Sequence, residues 1–161
     1  MTTRKLAPTL HPSYAALILR LSLGVLFLAH ASLKVFVFTP AGTVGFFESL
    51  GLPGLFAYLT ILAEVIGGIA LILGYHTRII SIVLLPIVLG AIIFVHGGNG
   101  WLFSNSNGGW EFPAFWAVTL IVQFLIGNGA YALSFSNSRF SLSHPEENLL
   151  RLNTKKKNSC W

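Results

Sequence analysis

Charge is what this chain has least of. Only 9% of its 161 residues are Asp, Glu, Lys or Arg, against about 25% in an ordinary soluble domain. That leaves too little polar material to cover a surface facing water, so a soluble globular protein is excluded. Cysteine occurs once, as Cys160. Within this sequence that rules out an intramolecular disulfide, a CxxC redox pair and a Cys-ligated metal centre. GxGxxG, P-loop, HExxH and GxSxG motifs are all missing, as is any local Ser/His/Asp set. The sequence therefore assigns no reaction, no catalytic residue and no metal site.

What the chain has in quantity is apolar length. Hydrophobic residues make up 54% of it, and the mean hydropathy is +0.74. Four apolar stretches, at about 14–38, 55–73, 79–96 and 112–133, are each long enough for a helix to cross a hydrocarbon core of about 30 Å. Lipid offers no partners for open backbone groups, so helices are the required form. Turn-rich connectors separate them: Thr39-Pro40-Ala41-Gly42, Gly51-Leu52-Pro53-Gly54, Gly74 to Arg78, and a Gly/Asn/Ser loop from Gly97 to Gly109. The expected fold is an all-α membrane protein, a four-transmembrane-helix bundle forming one domain over 1–134. A polar, basic cytoplasmic tail over 135–161 follows it. Ala29-His30-Ala31 has the form of a signal-peptide cleavage site. Arg20 interrupts the apolar core such a peptide needs, and the apolar run continues to Phe38, so an uncleaved first span is expected.

The basic residues outside the spans are Arg4, Lys5, Arg78, Arg139, Arg151 and Lys155 to Lys157. In a four-span chain all of them fall on one side, which the positive-inside rule makes the cytoplasm. Net charge is +5, and its clustering at the chain ends reads as an orientation signal, with no nucleic-acid partner. Trp101 and Trp110 then sit near the outer interface.

Against this background the charges within or bordering the spans stand out. A charge at bilayer depth costs at least about 2.5 kcal/mol. Glu64 stands alone in the second stretch. Arg20, His30 and Lys34 share one stripe of the first, Arg20 and Lys34 being roughly 40° apart at 100° per residue. Such a stripe is expected to face the bundle interior. A guanidinium at Arg20 has the length to reach toward Glu64, which makes that residue one half of a structural ion pair or else a group that exchanges protons with a ligand. His96 ends the third stretch and Glu111 opens the fourth, where the helix dipole favours an acid. Snorkelling of Arg20 and Lys34 to opposite interfaces is the bland alternative. Pro86 is placed to kink the third stretch, and Gln123 to hydrogen-bond across helices. His11, His76 and His144 read as loop residues.

Four pieces in order resemble the DoxX family of small four-helix membrane proteins. They are Arg20-Leu21-Ser22-Leu23-Gly24 through Ala29-His30-Ala31-Ser32-Leu33-Lys34; Glu64-Val65-Ile66-Gly67-Gly68 with Gly74; His96-Gly97 with Gly109-Trp110-Glu111; and Gly127-Asn128-Gly129 through Ser134. The likeness covers about 15–134. It departs from the family pattern at Phe135, where an aspartate is usual, and at Ala31, where glycine is common. The resemblance implies a multi-pass protein of the bacterial inner (plasma) membrane with redox or quinone links.

Besides a transporter, for which four short spans would have to oligomerise, three functions are compatible with these residues. One is a redox-associated membrane subunit binding a quinone-like or small anionic ligand near the outer face, with Arg20, His30, Lys34, Glu64, His96 and Glu111 as its polar network. Phe27, Phe36 and Trp101 would then supply an apolar wall. Another is a non-enzymatic scaffold, whose partners besides the lipid bilayer are redox proteins or further copies of itself. The third is a b-type haem protein with His30 and His96 as axial ligands. Unequal depths of the two histidines disfavour haem, and quinone remains the better cofactor candidate.

Overall fold

The computed structural model describes residues 12–133, and the expected tail at 135–161 lies outside the described residues. Five α-helices make up the fold, with no strand among the described residues. They are α1 (Pro12–Ser32), α2 (Thr39–Ser49), α3 (Leu55–Leu73), α4 (Thr77–Gly90) and α5 (Glu111–Ile126). Two of them run on as wide π-helical turns: α1 through Leu33–Val37 and α4 through Ala91–His96.

Three helical stretches are long and apolar enough to cross a membrane: Pro12–Val37, Leu55–Leu73 and Thr77–Asn99. The expected fourth span, 112–133, is shorter than its apolar run. α5 ends at Ile126 after 16 residues, about 24 Å at 1.5 Å per residue. Gly127, at φ +88°, turns the chain away, and the Gln123 side chain donates to the Gly127 carbonyl at 2.7 Å. Residues 127–133 then fold back beneath the bundle. There Ala130 N–H donates to Ser13 O and Leu133 N–H to Leu73 O.

The first connector is also more than a turn, because it contains α2. Pro40 stands in the first helical turn, where its missing N–H costs nothing. Thr39 takes φ +62°, an uncommon conformation for a β-branched residue. Two side chains support it. Thr39 Oγ1 accepts from Gly42 N–H, and the buried Thr43 hydroxyl donates to the carbonyls of Thr39 and Lys34. At the far end, Gly51 N–H and Leu52 N–H close the helix on the Glu48 and Phe47 carbonyls.

Close packing runs through small residues. A Cβ on Gly24 of α1 would lie 2.8 Å from the Gly68 carbonyl of α3. One on Gly67 would meet Leu84 of α4 at the same distance. The Gly67-Gly68 pair thus serves two neighbours at once, which is how membrane helices gain contact without a hydrophobic drive between them. The core comprises Leu23, Phe27, Leu71, Leu84, Val88, Trp116, Ala117 and Leu120. The outer surface is as apolar as the core: Ile18, Val25, Leu62, Ile79, Val83, Phe115 and Leu125 are all exposed. Such a surface suits lipid and not water.

Candidate ligand cavity

All five helices contribute to a cavity of about 600 Å³. α1 and its π turn supply Phe27, His30 and Lys34, and α2 supplies Phe46 and Phe47. α3 gives Phe56, Thr60 and Glu64. α4 and its π turn give Pro86, Val88, Ala91, Phe94 and His96, while α5 adds Phe112, Pro113 and Trp116. The walls are aromatic and aliphatic, and a small set of polar groups is gathered among them. That composition is typical of small-molecule sites.

The central polar feature is an ion pair. Lys34 Nζ donates to both carboxylate oxygens of Glu64, at 2.8 and 2.9 Å. Only 3% of the Glu64 side chain is exposed, against 19% for Lys34. In so apolar a setting each charge is tolerable only with the other present. The π turn positions the lysine. Phe38 N–H reaches back five residues to Leu33 O, and Thr43 caps the Lys34 carbonyl.

Both histidines are held through one ring nitrogen. His30 Nδ1–H donates to Leu26 O, and His96 Nδ1–H to Gly108 O, each at 2.9 Å. A carbonyl can only accept, so Nδ1 carries a proton in each ring, and in the neutral tautomer Nε2 is the acceptor. His30 also packs against Trp116 at 4.8 Å between ring centres. Asn99 Nδ2 likewise donates to Gly108 O, which ties the 97–110 loop to the site.

Two of the six expected network residues work elsewhere. Arg20 does not pair with Glu64. It is 1% exposed, and its guanidinium donates to the carbonyls of Asn128, Ala130 and Tyr131 at 3.0–3.1 Å. The π turn brings Lys34 to Glu64 instead, while the folded-back segment presents three carbonyls beside Arg20. Glu111 does not line the cavity either. Its Oε1 accepts Phe103 N–H at 2.9 Å, holding the loop that carries Trp101. The expected apolar wall is corrected in part. Phe27 lines the cavity, but Phe36 is 81% exposed and Trp101 packs edge-on against Trp110.

Helices with a lipid-compatible exterior around a polar-centred cavity define a multi-pass membrane protein. The chain belongs to the DoxX family, whose model matches residues 15–97. It is 38% identical over 79 residues to a Bacillus subtilis (strain 168) protein named "Putative oxidoreductase CatD". The aligned stretch takes in 49% of this chain and spans 58% of that relative's length. No solved structure matches the chain.

Proposed function

We propose that this protein is a redox-associated subunit of the bacterial inner membrane that binds a neutral, quinone-like ligand in the cavity. The observation that carries this reading is the compensated Lys34–Glu64 pair within aromatic walls. Because Glu64 already neutralises Lys34, the site holds no spare fixed charge for a small anion. An uncharged head with hydrogen-bonding oxygens suits it better: its carbonyls can accept from the ammonium, and its hydroxyls can donate to the carboxylate or to imidazole Nε2. Phe27, Phe112 and Trp116 offer flat apolar faces for a ring. The relative's name points to oxidoreductase chemistry, and the acceptor or donor partner would be a separate protein.

The test is a titration of purified protein with 2-methyl-1,4-naphthoquinone and with benzoate, following tryptophan fluorescence and thermal unfolding. Quinone should quench and stabilise, and benzoate should do neither. Stabilisation by benzoate alone would return the reading to an anion site. No response to either would leave a membrane scaffold as the better account.

A further inference from the structure

The cavity is not closed on all sides. Phe46 of α2, Phe56 of α3 and Phe94 of the α4 π turn all line it, yet they are 48%, 50% and 48% exposed. A side chain that faces both a cavity and the exterior marks the cavity's mouth. α2 is packed on α3 and on the π turn of α1, so it walls one side of that mouth while the α4 π turn walls the other. Neighbouring surface positions are Leu55, Leu59 and Ile93, all exposed and apolar. None of these six residues carries a charge or a polar side chain, so the mouth opens toward hydrocarbon.

Resting on the proposed cavity ligand, we infer that the site takes an amphiphile with one long apolar tail. The head lies at the Lys34–Glu64 pair, and the tail leaves between α2 and the α4 π turn into the bilayer. The two ends of one continuous cavity carry the argument. The Lys34–Glu64 pair lines its interior, with the Glu64 side chain only 3% exposed, and the half-exposed aromatics mark its mouth. A wholly water-soluble ligand would need a polar entrance, and the most exposed side chains at this mouth, Phe46, Phe56 and Phe94, are apolar. The same chemistry, an uncharged hydrogen-bonding head on one apolar chain, is offered by an isoprenoid quinone and by a monoacylglycerol.

Crosslinking in nanodiscs of phosphatidylcholine separates these cases. The probe is a benzoquinone with a decyl tail ending in a diazirine, competed by the same head without a tail. Labelling at Phe46, Phe56 or Phe94, lost under competition, is the expected result. Labelling deep in the cavity, at Phe27 or Trp116, would overturn the tail assignment. Narrowing the mouth with Phe46→Trp and Phe94→Trp should weaken the tailed compound about tenfold relative to the tailless one, since added bulk where the tail passes is resisted. Equal losses for both would also overturn it. If neither quinone binds, native mass spectrometry decides. A monoacylglycerol retained by the protein and shed by the two tryptophan variants keeps the mouth and removes the quinone reading. Absence of any retained lipid removes both.

Discussion

Lys34 and Glu64 hold one another across facing helices, the ammonium 2.8 and 2.9 Å from the two carboxylate oxygens. Each charge makes the other tolerable in an apolar cavity. Glu64→Ala or Lys34→Ala should therefore cost about 3–5 kcal/mol, as expected when one buried partner is stranded. Lys34→Ala with Glu64→Ala should cost clearly less than the sum of the two single changes. A double-mutant cycle by thermal unfolding in detergent measures the coupling. The Arg20 and Glu64 cycle should be additive, since they share no contact; strong coupling there would contradict the pairing described.

Arg20 serves the opposite end of the bundle. Its three charge-assisted bonds to backbone carbonyls are each worth about 1.5–3 kcal/mol. Arg20→Leu should release the folded-back segment before the helices separate. Hydrogen exchange at the Ala130 and Leu133 amides should accelerate, while exchange within α3 stays slow. Unchanged protection at both amides would show that the guanidinium is dispensable there. Gly74→Ala should act on the same device, because its Cβ would land on Arg20 Nη1 and Gly74 sits at φ +76°.

The Gly24–Gly68 crossing allows a sharper packing test. Gly68→Val should lower stability by about 1–3 kcal/mol, because added carbons press on the Gly24 backbone. Gly45→Ala on α2, where a Cβ meets nothing within 4 Å, should be neutral or slightly stabilising. Equal effects from the two changes would argue against a close α1–α3 approach.

Topology is open to direct measurement. Reporter fusions at Asn105 and Cys160 should report opposite compartments if α5 crosses the membrane, with Cys160 cytoplasmic by the charge distribution. Fusions reporting one compartment would mean that the 16-residue α5 does not cross.

Much of this architecture is legible in composition and period. Residues 55–73 match α3 at both ends, because Pro53-Gly54 and Gly74 punctuate an unbroken apolar run. His30, Lys34, Glu64 and His96 are recognisable as polar groups placed where lipid penalises them, and all four line one cavity, with Lys34 and Glu64 in contact. The pairing was not legible. Helical phase put Arg20 near Lys34, but phase assumes 3.6 residues per turn, and the π turn alters it at Lys34. α2 was hidden because Thr39-Pro40-Ala41-Gly42 reads as a turn-rich connector, although Thr39-Pro40 at its start and Gly51 after it are ordinary helix boundaries. Missing α2 also meant missing Phe46 and Phe47 as cavity walls. The early end of α5 was obscured because the residues after Gly127 include further apolar ones.

The two wide turns have a genetic consequence. A π turn accommodates about one residue more than the α-helix it interrupts, so it behaves as a single-codon insertion kept within a helix. Deleting Val35 would take the extra residue out, so that α1 runs on regularly into α2 and the widened turn that presents Lys34 to Glu64 closes. Deleting Ile93 would do the same to the turn that ends at His96. In both cases the lost residue is apolar, so sites that look like silent filler set the frame in which the polar groups are presented.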